Sequence, residues 1–187
     1  MSMPVHPEAL RKINDERIAV DFEALGRAAE EFELDLIILH GSYARGSARS
    51  DSDVHIAVWT RRRDYGKREP EKEAEWHLTL VAAINAAVEA PQGCDVRVLN
   101  HCSGLFAFCV ASESVPLFEA DTTTFWEFCS YAARRFDDEE PLRRSLHQYQ
   151  RERIEQQRKS ENRSEAGVSS ARDRTTAAGT TGTASGL

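Results

Sequence analysis

A glycine and a serine, followed at a fixed distance by an acid, carry the most informative chemistry in this chain. His40-Gly41-Ser42-Tyr43-Ala44-Arg45-Gly46 follows an apolar, β-forming run, Leu34 to Leu39, and precedes an alternating run that starts at Asp53. Gly41 lets the backbone come close to a ligand. Ser42 offers a hydroxyl and an N–H where a helix would begin, a setting suited to phosphate oxygens. Ten residues separate Ser42 from Asp53. In the alternating run Val54, Ile56 and Val58 point one way, and Asp53, His55 and Ala57 the other. The expected local structure is a strand, a Gly-Ser turn with one or two helical turns, and a second strand whose first residue, Asp53, faces the same cleft. A Gly-Ser pair alone says little; the strand before it, the gap and the acid make the pattern specific.

These residues resemble the minimal nucleotidyltransferases of the DNA polymerase β superfamily, above all the MntA-type antitoxins paired with HEPN toxins. The signature of that group is Gly-Ser, a ten-residue gap, Asp-x-Asp, and a third Asp on a later strand. Gly41, Ser42, Ala44, Arg45, Gly46, Ser52 and Asp53 match it in place. Asp95, in Cys94-Asp95-Val96-Arg97-Val98-Leu99-Asn100, matches the third acid and its Leu-Asn sequel. The resemblance runs from about Phe22 to Ile154. It implies an α+β fold, a small mixed β-sheet flanked by helices with further helices at the C-terminal end. It also implies ATP as substrate, Mg²⁺ or Mn²⁺ as cofactor, and a HEPN-family toxin as partner. On that basis Asp53 and Asp95 are the catalytic acids, Gly41, Ser42 and Arg45 hold the nucleotide phosphates, and Asp53, His55 and Asp95 hold metal. Arg45 also has a purely structural reading, as a cap or bridge at the turn. His55 is the departure, because the family has its second Asp there.

Nucleotidyl transfer needs an attacking hydroxyl in line with the α-phosphate and compensation for developing charge. Carboxylate-held divalent ions about 3.5–4 Å apart provide both. A neutral imidazole brings no charge, and it suits Mn²⁺ or Zn²⁺ better than Mg²⁺, which prefers hard oxygen ligands. Asp51 lies two residues before Asp53 on the same strand face, but the strand alternation favours Asp53 as first ligand. Three outcomes are open: an enzyme preferring Mn²⁺, a slow Mg²⁺ enzyme, or a nucleotide-binding domain that no longer catalyses.

The leading reading of function is an MntA-like antitoxin that transfers AMP from ATP to a tyrosine hydroxyl of a HEPN-type toxin ribonuclease. The second is a degenerate domain that neutralises its partner by binding alone. The third, a nucleotidyltransferase acting on a small molecule such as an aminoglycoside, is disfavoured. Such enzymes carry a substantial second domain, whereas only helices and a tail follow Glu119.

The elements expected to position these residues follow from periodicity. Glu8 to Phe32 reads as helix, with Leu10, Ile13, Ile18, Phe22, Leu25 and Ala29 as its apolar positions and Asn14-Asp15 as a candidate second start. Strands are expected over 34–39, 53–60 and 94–99. The basic run from Arg61 to Arg68 reads as a loop, either solvated or meeting the triphosphate or an acidic partner. Pro70 to Ala90 reads as helix, with Pro70 in its first turn and Pro91-Gln92-Gly93 as its stop. Leu105 to Ala111 follows as a short buried helix. Val115 to Glu119 reads as an edge strand, because Pro116 cannot donate in a central one. Helices then span Thr123 or Thr124 to Phe136, and Glu140 to Arg158. In the resemblance, Phe118-Glu119 and Tyr131 fall at structural positions.

Composition bounds the rest. With 187 residues and 41% hydrophobic content, the chain fits one globular domain, expected over 1–158, and a disordered tail over 159–187 rich in Ser, Thr, Gly and Ala. A net charge of −7 argues against a general nucleic-acid binder. No apolar run approaches the roughly 20 residues of a membrane span, and the N-terminal residues lack a basic-then-apolar signal pattern, so a cytoplasmic setting is expected. Cys94, Cys102, Cys109 and Cys129 lack zinc-site spacing and read as ordinary semi-buried thiols.

Overall fold

The computed structural model of this protein describes residues 18–62 and 64–177, of which 160–177 are described as helical backbone only. The chain divides into two units at Glu139 and Glu140. In the first, strand β1 is Ala19–Val20, helix α1 Phe22–Glu31, β2 Leu34–His40, β3 Val54–Thr60, and α2 Pro70–Ala87. β4 is Val88–Glu89, β5 Cys94–Val98, α3 Gly104–Ser112, β6 Val115–Glu119, and α4 Thr124–Asp138. The second unit is described as one helix, α5, Glu140–Ala177. It carries helical backbone past Arg158, where the sequence reading ends it; no proline interrupts 159–177, and 178–187 lie outside the described residues.

Among the described residues, β5-β3-β2-β6 form a mixed sheet. β2 pairs antiparallel with both β3 and β6, while β3 and β5 run parallel. β6 is an edge, as Pro116 requires. Alternation along the central strands sorts two cores. Leu34, Ile37, Leu39, Val54, Ile56 and Val58 pack on one face with Leu25 of α1 and Leu80 and Ile84 of α2. Leu36, Ile38 and Ala57 pack on the other with Ala107, Val110, Phe128 and Ala132 of α3 and α4. β2 is therefore buried on both faces, which is why Leu34 to Leu39 reads as a nearly continuous apolar run.

Two parts of the sequence reading are corrected. Ala19–Val20 is a strand, not helix; it pairs with Val88–Glu89, which the sequence reading also placed in a helix. The ribbon supplies the backbone partners that a helix would have supplied, and the Asp21 N–H donates to the Ala87 carbonyl at 2.8 Å. α1 starts one residue later, where the Asp21 carboxylate accepts the Ala24 N–H at 3.0 Å. The candidate cap Asn14-Asp15 and the helix expected over 8–17 lie outside the described residues.

The basic loop leaves β3 at the end opposite His55, so its contact with the triphosphate is abandoned. Arg62 is buried, its guanidinium 4.5 Å from the Trp76 ring centroid, and it pairs with Asp64 and Glu73. Arg61 pairs with Asp35, and Arg68 with Asp64. Arg63 lies outside the described residues.

The Leu-Asn sequel of β5 closes the sheet at this end. Asn100 Oδ1 accepts the Thr60 N–H at 3.0 Å, and its Nδ2 donates to the Thr60 carbonyl at 2.7 Å, continuing the strand pairing with a side chain. Asn100→Ala strands both groups of a buried residue. Its expected cost is about 1–2 kcal/mol, read as a lower urea midpoint with an unchanged slope. Among the described residues no helix is long and apolar enough to cross a membrane.

Candidate active site

The turn after β2 is one turn long, the shorter of the one or two helical turns expected from the sequence. The Arg45 N–H donates to the Gly41 carbonyl at 3.1 Å, closing a single turn. The Ser47 N–H then donates to the Ser42 carbonyl at 2.9 Å and the Gly46 N–H to the Tyr43 carbonyl at 3.1 Å. That 6→1 and 5→2 pair is a Schellman ending, with Gly46 at φ +67° in the left-handed position. Tyr43 anchors the turn in the first core. The Ser42 side chain points to no hydrogen-bond partner among the described residues, and the Arg45 guanidinium donates to Glu113 at 2.7 Å. The bridging reading of Arg45 is what the geometry displays, in an exposed pair of small energetic weight.

The strand register then assembles the neighbours. His40 of β2 is opposite His55 of β3, and His55 is opposite Asp95 of β5. Laterally paired residues share a sheet face, so these three stand at one level on the face that carries α3. They line a cavity of about 570 Å³ together with Arg97, Val98, Cys102, Ser103 and Phe106. Gly41 sits against this group at φ +78°, and a Cβ there would lie 2.9 Å from His55 Nδ1. Asp53 immediately precedes β3 on the same alternation as His55. It is exposed and is not among the residues that line the cavity, nor are Ser42 and Arg45.

The family model described as Polymerase beta, Nucleotidyltransferase matches residues 25–123, more than half of the chain. The chain belongs to that nucleotidyltransferase family. A crystal structure of a toxin-antitoxin with AMP-PNP is similar at a TM-score of 0.50 and 18% identity, over 67% of this chain and 94% of that one. A tri-AMPylated Shewanella oneidensis HEPN toxin in complex with MNT antitoxin is similar at a TM-score of 0.46 and 16% identity, over 67% of this chain and 92% of that one. At 18% identity the likeness to the first of these is one of fold. Comparison with curated proteins gives no match.

In this nucleotidyltransferase the cavity holds an ion pair and a stack of two imidazoles. The Arg97 Nε donates to the Asp95 carboxylate at 3.1 Å, in a pair that solvent reaches. The His40 and His55 rings stack with centroids 5.4 Å apart, and Phe106 meets His40 edge-on at 5.8 Å. Burial, then the neighbouring His55, pushes the His40 imidazole down to about 4, with Asp95 acting in the opposite direction and Arg45 adding to the lowering. His40 is thus neutral at physiological pH, with its Nε2 buried and unpartnered.

Among the described residues no three His, Cys, Asp or Glu side chains already converge as a metal site. The donors lining the cavity are one carboxylate, already engaged by Arg97, two imidazoles, the Cys102 thiol and the Ser103 hydroxyl. This set does not fit an all-oxygen Mg²⁺ centre; it fits an ion that accepts imidazole nitrogen. Sequence reasoning missed His40, Arg97 and Phe106. The parity of β2 places His40 on the Ile38 face, but only the register shows that it faces His55.

Proposed function

We propose that this protein is an MntA-like antitoxin that uses ATP to transfer AMP to a tyrosine of a HEPN-type toxin ribonuclease, silencing it in the cytoplasm. The observation that supports this most is the juxtaposition of the Gly41–Ser42 turn with His55 and Asp95 across neighbouring strands. The fold shared with a toxin-antitoxin structure holding AMP-PNP agrees with an ATP-using antitoxin. The HEPN nature of the partner and the tyrosine acceptor rest on the motif resemblance.

On this reading the single turn at Gly41 presents backbone N–H groups and the Ser42 hydroxyl to the β- and γ-phosphates. Arg45, once it leaves Glu113, adds positive charge beside them. Asp53, His55 and Asp95 orient the α-phosphate side of the nucleotide, and Phe106 and Val98 wall the cavity against water. A divalent ion held there supplies charge neutralisation for the transferring phosphoryl group.

A second reading, neutralisation by binding alone, is favoured by the imidazole at position 55 and by the Arg97–Asp95 pair. Co-expression with a HEPN-type toxin, followed by intact-mass measurement of that toxin, separates the two. AMP increments with wild type and none with Asp53→Asn are expected. Equal toxin suppression by both proteins, with no mass change, would establish the binding-only account and end the enzymatic one.

A further inference from the structure

We propose that Arg97 is a nucleotide-binding residue of the cavity, aimed by Asp95 so that its terminal nitrogens take a phosphate oxygen of the triphosphate. The inference rests on this cavity being the transferase site. It deepens that reading by naming a second cation, besides Arg45, that receives the substrate.

Three observations carry it. The first is position. Arg97 of β5 is opposite Ala57 of β3, the next step along the face on which His55 is opposite Asp95. Among the described residues β5 is the edge strand and Ala57 is small, so a long side chain at 97 has room beside the core and lines the cavity. The second is the way the guanidinium is held. Its Nε donates to Asp95 at 3.1 Å, and its two terminal nitrogens have no hydrogen-bond partner among the described residues. An arginine that serves a carboxylate commonly engages it through two parallel N–H bonds. A single bond through Nε fixes the side chain and leaves four of its five N–H groups for a ligand. The third is the setting. The cavity, about 570 Å³, falls within the roughly 300–1,000 Å³ of small-molecule sites, and Arg97 is the only arginine or lysine among the described residues that line it. Gly41 rests against the His55 ring, so a triphosphate reaching from the phosphate turn toward Asp95 approaches Arg97.

The Arg97–Asp95 pair stays intact in this arrangement, because phosphate takes only the nitrogens that Asp95 leaves unused. A planar guanidinium fork matches two oxygens of one phosphate, and its charge offsets part of what gathers on the phosphoryl oxygens during transfer. With side chains 63% and 43% exposed, the pair adds little to the stability of the fold. A change at Arg97 therefore reads out binding rather than folding.

The test uses the full-length protein and AMP-PNP. By calorimetry, Arg97→Gln should weaken AMP-PNP binding at least about tenfold, the scale of one charge-assisted contact, both with Mg²⁺ present and with a chelator. Its melting temperature should stay close to that of wild type. Arg97→Lys should recover part of the loss, because it keeps the charge and gives up the fork. Arg144→Gln, in a comparably exposed pair with Glu140 on α5, should bind as wild type does. Phenylglyoxal, which modifies exposed arginines, gives an independent reading on the wild-type protein. AMP-PNP should slow the modification of Arg97, followed by peptide mass, and leave that of Arg144 unchanged. An Arg97→Gln affinity equal to or tighter than that of wild type overturns the proposal, since Arg97 would then serve only to neutralise Asp95. Modification of Arg97 that ignores AMP-PNP overturns it too. Equal AMP transfer to the toxin by wild type and Arg97→Gln would overturn it while leaving the transferase reading standing. Loss of AMP-PNP binding in Arg97→Gln, with no AMP placed on the toxin by wild type, would keep the role of Arg97 and remove the transferase reading.

Discussion

If this protein transfers AMP as proposed, His55→Asp is expected to raise the Mg²⁺-dependent rate by roughly tenfold or more, because stabilising charge at a transferring phosphoryl group is one of the strongest effects a protein exerts on such a rate. The expectation follows from the register. Position 55 is flanked by Asp95 on one side and His40 on the other, so an aspartate there stands next to the third acid and two residues from Asp53. It returns a hard, charged donor to a cavity wall that now holds one carboxylate and two imidazoles. In wild type, Mn²⁺ should outperform Mg²⁺, since imidazole accepts the softer ion more readily. Adding Asp95→Asn to His55→Asp should erase the gain, because one acid cannot replace the other. The measurement is single-turnover transfer of labelled AMP from ATP to the toxin, with each metal in turn. A His55→Asp protein no faster than wild type in Mg²⁺ would show that position 55 does not limit the reaction.

Much of this frame could be read from side-chain pattern, and the reason is specific to these strands. Val54, Ile56 and Val58 alternate cleanly against His55 and Ala57, so the face that carries chemistry follows from period-2 parity. Pro116 marks β6 as an edge for a local reason, its missing N–H. What parity cannot supply is register. That His40 lies opposite His55 and His55 opposite Asp95 depends on how β2, β3 and β5 slide against one another, and no single strand records it. The Arg97–Asp95 pair is hidden for a related reason: residues two apart on a strand share a face, but whether they pair depends on what else fills that face. The Ala19–Val20 ribbon escaped because two-residue strands have no periodicity of their own. Arg62 escaped because a run of arginines reads as solvated, whereas the Trp76 ring and Glu73 provide a buried partner set that only tertiary packing creates.

Gly41→Ala should be the most damaging small substitution in the turn, and comparison with Gly46→Ala isolates the cause. Both glycines hold left-handed backbone, at φ +78° and +67°, so each alanine carries about 1–2 kcal/mol of backbone strain. They differ in what a Cβ meets. At Gly46 nothing lies within 4 Å, whereas at Gly41 the new atom falls 2.9 Å from His55 Nδ1. Crowding of that kind adds about 1–3 kcal/mol and displaces the ring. Gly41→Ala is thus expected to lose about 2–5 kcal/mol in total, and Gly46→Ala only its strain. For a chain of this length each kcal/mol lowers the melting temperature by roughly 2–4 °C. If the Gly41–Ser42 turn that the moved ring borders holds phosphate as proposed, Gly41→Ala should also weaken AMP-PNP binding by calorimetry at least about tenfold, roughly 1.4 kcal/mol, while Gly46→Ala leaves it close to wild type. Combining Gly41→Ala with His55→Ala removes the crowding atom, so the double variant should be destabilised by less than the two single changes added together. Strict additivity, or equal losses at Gly41 and Gly46, would mean that the turn needs glycine at 41 for its backbone angle alone and that the contact between the phosphate turn and His55 does no energetic work.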